Sequence, residues 1–436
     1  MARLLTQKDV YSIVNQLVED LTGQQNSVRA VDSSTFVSAG ELIMSQGTEN
    51  VLNAMGLLMG RILVAARPYK GSRFNLINAV DTGIYTHRLM KVSYYSNKAL
   101  PSGAFNTDLY TNLAEGFTNG RNNNGVSDQS TPSMWEQHYY EPMVMNFAGS
   151  SVWQECITIP EVQLQQSFRS EDEFDRVWGG FLVRHESDIE LEKEAFRGAV
   201  VINKIAGIYA LGNTVMPGSV VNLTEEFNKF YYGADTSSYK TSVELRSTYL
   251  KEFLGFMCFT IKNDIKKMEN ESTKFHWTPY KLDASGNQLP LLRHTPRDKQ
   301  KLFLYEPLML QSEALVLPEI FNDKYLNIEK NYEGIEFWQA ENDPAAISCY
   351  PAIPETDHTD ADYGTQIKGD KIDIPYVVGM LFDEDGLMTD FQMERAVSSP
   401  LEARKLYRNL WLTISKNLIN DFTEKAIIYV MEDPST

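Results

Sequence analysis

Between residues 170 and 212 the apolar positions recur three or four apart, at Phe174, Val177, Trp178, Phe181, Leu182, Ile189, Phe196, Val200, Ile205 and Ile208. That spacing lines one face of a single helix. Ser170 and Glu173 stand at capping-box spacing, and Glu171 and Asp172 lie at the positive end of the helix dipole. No proline interrupts the run, and Gly212 supplies a stop. At 1.5 Å per residue the helix would span roughly 60 Å, more than a compact domain requires.

The pattern ahead of this helix is different. A short amphipathic helix is expected near the N-terminus, opened by Thr6, with Val10, Ile13, Val14, Leu17 and Leu21 on a face that needs a partner surface in this subunit or the next. A second is expected over 48–64, carrying Val51, Leu52, Met55, Leu58, Met59 and Ile62 and closed by Pro68. From 68 to 142 the chain changes to short alternating pieces such as Leu89-Met-Lys-Val-Ser-Tyr-Tyr95, separated by Gly, Asn and Ser clusters. This is the pattern of an extended hairpin. Its distal part, 118–132, has almost nothing to bury, so order there requires a surface outside the fold. Strand-like runs at 142–147 and 151–164 lead back to the long helix.

After Gly212 comes a polar, turn-rich connection and then a helix over 242–268, with Leu250, Phe253, Leu254, Met257, Ile261 and Ile265 on one side. Glu244 at its start and Lys266 and Lys267 at its end suit the dipole. An apolar run at 301–310, a helix-like patch at 318–321 and an acidic, loop-rich stretch at 341–373 follow. Ile374-Pro-Tyr-Val-Val-Gly-Met-Leu-Phe382 reads as a buried strand stopped by the turn Asp383-Glu-Asp-Gly386, and 406–431 as a strand pair finishing a sheet.

Composition narrows the function. A chain of 436 residues, 43% hydrophobic and 11% aromatic, can form a large core. Its net charge of -18 argues against nucleic-acid binding as the main task, which draws on clustered Lys and Arg. Cys156, Cys258 and Cys349 are dispersed, against a disulfide framework or zinc knuckle. No secretory signal order and no apolar run of ~18 residues is present. The expectation is a chain made in a reducing cytosol, where the sequons at Asn222 and Asn270 carry no meaning.

Candidate chemistry is sparse. Dinucleotide, P-loop, zinc-protease and nucleophile-elbow motifs are absent, so no catalytic residue and no cofactor is nominated. The six histidines are scattered, and His185 reads as a hydrogen-bonded packing residue on the long helix. The best metal candidate is Asp357, Asp360 and Asp362, with Asp383 and Asp385 weaker, because alternate carboxylates on a loop can converge on a hard cation. Neither has the central glycine and downstream glutamate of a calcium loop, so both read first as solvated turns.

Four stretches carry a likeness beyond these patterns. They are Val37-Ser-Ala-Gly-Glu-Leu-Ile-Met-Ser-Gln through Val51-Leu-Asn-Ala-Met to Arg61-Ile-Leu-Val64; Glu155-Cys-Ile-Thr-Ile entering the long helix; Val377-Val-Gly-Met-Leu-Phe-Asp-Glu-Asp-Gly-Leu-Met388; and Tyr407-Arg-Asn-Leu-Trp-Leu-Thr-Ile-Ser. In their order along the chain they resemble the HK97-type major capsid proteins of tailed phages, most closely those of small short-tailed phages (podoviruses).

The resemblance implies an α+β fold: an N-terminal arm (1–35), a peripheral domain begun at 36–67, an E-loop (68–142), the peripheral domain with its spine helix (143–212), an axial domain (213–395, with 341–373 a possible insertion) and closing peripheral strands (396–436). It implies a non-enzymatic subunit that assembles with itself into hexamers and pentamers of an icosahedral virion around double-stranded DNA, in the host cytoplasm, with a separate scaffolding protein and a portal and without a membrane. The E-loop cations Lys70, Arg73, Arg88, Lys91 and Lys98 would then meet Glu171, Asp172 and Asp175 on a neighbour's spine helix. Two other readings stay open: a minor head or tail component, and an acidic metal-dependent enzyme whose lid is the long loop.

Overall fold

A computed structural model describes residues 7–22, 29–46, 73–82, 88–96, 141–149, 151–168, 180–282, 288–315 and 332–433. In chain order the elements are α1 (Gln7–Thr22), α2 (Ser33–Ser45), β1 (Asn78–Ala79), β2 (Arg88–Tyr94), β3 (Pro142–Ala148), β4 (Ser151–Pro160), α3 (Glu161–Ser167) and α4 (Gly180–Val215). Then come β5 (Val220–Asn222), α5 (Leu223–Tyr232), α6 (Ser242–Ser247), α7 (Leu250–Glu269), β6 (Gln300–Tyr305), α8 (Glu306–Leu315), β7 (Tyr332–Ile335), β8 (Ile347–Cys349), β9 (Ala352–Pro354), β10 (Gln366–Lys368) and β11 (Ile372–Ile374). β12 (Val377–Asp383), β13 (Leu387–Ser398), β14 (Tyr407–Asn420) and β15 (Ala426–Val430) complete them. The fold class is α+β, with two main sheets ordered β1-β13-β14-β4 and β5-β15-β12-β6-β7.

The first sheet carries the N-terminal helices. Val14, Leu17 and Val18 of α1 are buried with Phe36, Ala39 and Ile43 of α2 against Ile157 and Ile159 of β4 and Leu410, Leu412 and Ile414 of β14. The partner surface that the amphipathic arm needs is therefore supplied by its own chain. Asn15 fixes the link between the two helices, exchanging hydrogen bonds with the carbonyl and N–H of Ala30. α2 opens on a reciprocal cap between Asp32 and Thr35.

The second sheet is buried on both faces. Met380 and Phe382 of β12, Ile428 and Val430 of β15 and Phe303 of β6 pack with Val201, Ile205 and Ile208 of α4. Their neighbours Val378, Leu381, Ile427, Tyr429, Leu302 and Leu304 pack with Phe227 of α5 and Phe253, Leu254, Met257 and Ile261 of α7. Period-two alternation between two helical layers leaves no polar face, which is why β12 reads as an unbroken apolar run.

α4 crosses both sheets, touching β13 and β14 at one and β15 and β5 at the other. It runs 36 residues from Gly180; the expected start at Ser170 lies outside the described residues. Gly212 breaks it at φ 62° and ψ -177°, outside the helical region, where only glycine is free of strain. At 1.5 Å per residue the rod measures roughly 50 Å.

Several expectations are corrected. The helix expected over 242–268 is two, α6 and α7. Tyr249 sits at φ -105° and ψ 24°, and its N–H reaches back to the Glu244 carbonyl, five residues away, so the helical ladder is interrupted there. The turn-rich connection after Gly212 contains β5 and α5, and Asn222 caps α5 by accepting from the Thr224 N–H. The strand expected to Leu164 ends at Pro160, where α3 begins. The strands expected as a pair in 406–431 belong to different sheets: β14 pairs with β13 and β4, β15 with β12 and β5. Residues 426–430 therefore do not finish the first sheet. The polar excursion 341–373 is a nested ribbon, β8 pairing β11 outside and β9 pairing β10 inside. The helix expected over 48–64, the patch at 318–321 and the loop tip 118–132 lie outside the described residues.

Candidate functional site

β2 and β3 form a two-stranded antiparallel ribbon, in register from Arg88 opposite Ala148 to Tyr94 opposite Pro142. β2 falls within the hairpin expected over 68–142, and β3 is the strand expected at 142–147. Alternation sorts its side chains onto two faces. Leu89, Lys91, Ser93, Met143, Met145 and Phe147 turn toward the body, while Met90, Val92, Tyr94 and Val144 are exposed on the other side.

The inner face is anchored by charge. The Lys91 amine donates to the carboxylates of both Asp421 and Glu424. Arg293 donates to the Ser93 hydroxyl at 2.8 Å and the Thr423 carbonyl at 3.2 Å, and lies 3.6 Å from the Glu424 carboxylate. Met143 packs with Tyr95, Leu289 and Leu291, and Met145 accepts from the Thr423 hydroxyl at 3.7 Å. A cleft of about 540 Å³ lies under the ribbon, lined by Met143, Met145, Phe147, Trp277, Tyr363 and Phe422 among others.

Residues 421–425, the turn between β14 and β15, are the hub. The fully buried Lys204 of α4 donates to the Asp421 carbonyl at 2.6 Å and lies over the Phe422 ring. Lys425, also buried, donates to the carbonyls of Met268 and Asn270 and to the Ser272 hydroxyl, so it closes the end of α7. Burial pushes both amines down to about 8, against the attraction of nearby carboxylates. Burial alone would raise the Asp421 carboxyl, but Lys91 and the Thr423 hydrogen bonds outweigh it and hold it below the usual range. One turn thus ties together the ribbon, the long helix and both sheets.

The expected site residues fall as follows. Arg73 donates to Glu194 of its own α4 at 2.8 Å and stacks on Phe337, Arg88 donates to Asn146 across the ribbon, and Lys91 is held at the hub. All three have partners within the chain, and their pairing with a neighbour's helix stays a proposal for the assembled protein. Lys70, Lys98, Glu171, Asp172 and Asp175 lie outside the described residues.

The weak metal candidate lies in exposed turns, as its first reading expects. Asp357 accepts from the N–H and hydroxyl of Thr359, and Asp360 from the N–H of Asp362, so each carboxylate is turned into its own loop. Asp383 accepts from Asp385 N–H and from the Thr295 hydroxyl. Among the described residues no group of three or more His, Cys, Asp or Glu is placed to hold a metal ion. His185 is buried, and burial lowers it to about 4, so its ring is neutral at pH 7. Its Nε2 finds no hydrogen-bond partner among the described residues.

The hub was not foreseen. Its one sequence signal is Lys204, four residues after Val200 and one before Ile205, on the stripe that should be apolar. The segment Asp421-Phe-Thr-Glu-Lys425 otherwise reads as an ordinary surface turn.

No protein-family model matches the chain, and neither does any curated protein. Solved structures do. A chain from the capsid structure of Staphylococcus phage Andhra is 10% identical with a TM-score of 0.47, covering 83% of this chain and 85% of that one. A chain from the structure of the head fiber and inner core protein of native bacteriophage P68 is 12% identical with a TM-score of 0.45, at 83% and 85%. A third, from the mature capsid of bacteriophage PhiM1, is 11% identical with a TM-score of 0.38, at 84% and 89%. No helix among the described residues is long and apolar enough to cross a membrane.

Proposed function

We propose that this chain is the major capsid protein of a tailed phage, a non-enzymatic subunit of HK97-type fold that assembles with itself into the hexamers and pentamers of an icosahedral head around double-stranded DNA. The observation that carries this reading is the ribbon. Its inner face is fixed to the body by the hub, while its outer face presents Met90, Val92, Tyr94 and Val144 to solvent. A solvated ribbon face should be polar; an apolar one calls for a second surface, and a repeated subunit supplies it.

In this reading the ribbon is the base of the E-loop and α4 is the spine. The β1-β13-β14-β4 sheet with α1 and α2 forms the peripheral domain, and the five-stranded sheet with α5 to α8 the axial one. The nested ribbon within 341–373 is an insertion. Podovirus-type assembly with a separate scaffolding protein and a portal follows from the sequence resemblance.

Negative-stain microscopy of the protein, expressed alone and with its candidate scaffolding protein, tests the proposal. Closed shells of uniform size are the expected result. Rings or tubes would assign it to a minor head or tail component, and small monodisperse particles under both conditions would overturn the proposal.

A further inference from the structure

The cleft of about 540 Å³ beneath the ribbon has a chemistry that the capsid reading does not use. Its volume lies in the range of small-molecule sites. Met143 and Met145 of β3 line it from the ribbon, and Trp277, Tyr363 and Phe422 line it from the body. Trp277 and Tyr363 meet edge to face, with ring centroids 6.0 Å apart. Walls of aromatic rings and thioethers favour a flat, polarisable body between them.

Charge is what the cleft lacks. None of the described residues that line it is Asp, Glu, Lys, Arg or His, although 22% of the chain is charged. A charged ligand would give up its hydration there without a counter-ion in the wall, so the occupant is neutral. Most polar groups of the wall are already engaged. The Asn417 amide donates to the Thr82 hydroxyl and the Thr365 hydroxyl to the Asp362 carbonyl, each at 2.6 Å. Asn146 Oδ1 accepts from Arg88, and the Tyr363 hydroxyl accepts from the Tyr280 N–H. Asn420 differs. It is 7% exposed, and its Oδ1 finds no hydrogen-bond partner among the described residues. A buried carbonyl without a donor costs free energy that an N–H or O–H in the cleft would recover. The terminal amide turns about a broad, soft torsion, which lets Oδ1 meet such a donor.

We infer that this cleft is a binding site for a small, neutral aromatic molecule carrying a hydrogen-bond donor, held between the ribbon and the body with its donor on Asn420. Such a ligand touches β3 on one side and Trp277 and Phe422 on the other, so it braces the ribbon at a second point beside Lys91. The inference is independent of the capsid reading, because binding is counted per chain whatever form the chain assembles into.

Indole and 1-methylindole are the probes, since they share a ring system and differ in the N–H. In calorimetric titration of the full chain, indole should bind saturably at one site per chain. 1-Methylindole should bind about five-fold or more weakly, the size of one hydrogen bond. Asn420→Leu, close in shape to the native residue, should lower indole affinity by a similar factor and abolish the preference between the two probes. Three results would each overturn the site: no saturable indole binding up to its solubility limit, equal binding of both probes by wild type, or an unchanged preference in Asn420→Leu. Should that variant not fold, hydrogen exchange of the wild type decides. Indole should slow exchange across residues 143–147 and 363–366, and slowing confined to other parts of the chain overturns the assignment.

Discussion

The amine of Lys204, at the centre of the long helix, donates to the carbonyl oxygen of Asp421 at 2.6 Å in the turn that joins the two sheets. Folding holds this lysine at about 8 against an ordinary 10.5, and the same is true of Lys425 on the far side of the turn. Between those values the unfolded chain binds more protons than the folded one, so stability rises with pH across that window. Urea unfolding followed from pH 8 to 9.5 should show a rising midpoint in wild type and about half that rise in Lys204→Met, with Lys425 supplying the remainder. A slope unaffected by the substitution would remove Lys204 from the account.

Lys91 neutralises Asp421, whose side chain is fully buried. Lys91→Met should destabilise the fold by about 3 kcal/mol, because it leaves a buried carboxylate without its cation. Adding Asp421→Asn should recover part of that loss, since the uncompensated charge goes with it. Urea unfolding of the four proteins of the cycle measures the coupling, and a coupling near zero would show that the ribbon is not held by this pair.

Gly379 in β12 lies where strands press closest. A Cβ there would run into the Phe303 carbonyl oxygen and lie 2.6 Å from Leu304 Cδ2. Gly379→Ala should cost more than about 3 kcal/mol or yield insoluble protein, since a backbone oxygen in a central strand cannot retreat. Soluble expression with an unchanged melting temperature would contradict this packing.

The acidic loop should not respond to cations. Asp357 and Asp360 are turned to their own loop N–H groups, so about 5 mM calcium or manganese should leave the thermal midpoint unchanged. A rise that disappears in Asp357→Asn/Asp360→Asn would restore the metal site.

Deleting residues 118–132 should leave the circular dichroism spectrum and unfolding midpoint unchanged while lowering the yield of assembled particles. The sequence there offers almost no apolar side chains to a core, Val126 and Pro132 apart, so its use lies in contacts outside the fold. Full assembly by the deletion variant would place the loop's contribution elsewhere, for instance on the exposed ribbon face.

Legibility followed from how many faces of an element are buried. β12 was readable because both of its faces are apolar, and the ribbon because its alternation is undisturbed. α4 was readable from its stripe, even with Lys204 set into it. α2 and α5 were passed over although each carries its signal: Asp32 three residues before Thr35, and Asn222 followed by Glu225 and Glu226. Both are short, and tertiary packing outweighs local propensity in helices of that length. The separation of β14 from β15 was not readable at all. Two apolar strands linked by a polar turn have the sequence of a hairpin, and only a lysine from another element and a carboxylate bound from the ribbon reveal the turn to be interior. The candidate site suffered for the same reason, since its charges are paired across more than two hundred residues of sequence.

The chain passes from one sheet to the other through residues 421–425, a link with almost no slack, while α4 runs beside it as a stiff rod touching both sheets. Mechanically this is a braced frame: a short tie and a long strut fastened to each other by Lys204. A load applied at either sheet is carried through to the other, and the ribbon, bolted to the same joint by Lys91, shifts with it. Such a part transmits displacement from one end to the other, so a shell made of it would respond to stress by moving whole subunits before any one of them came apart.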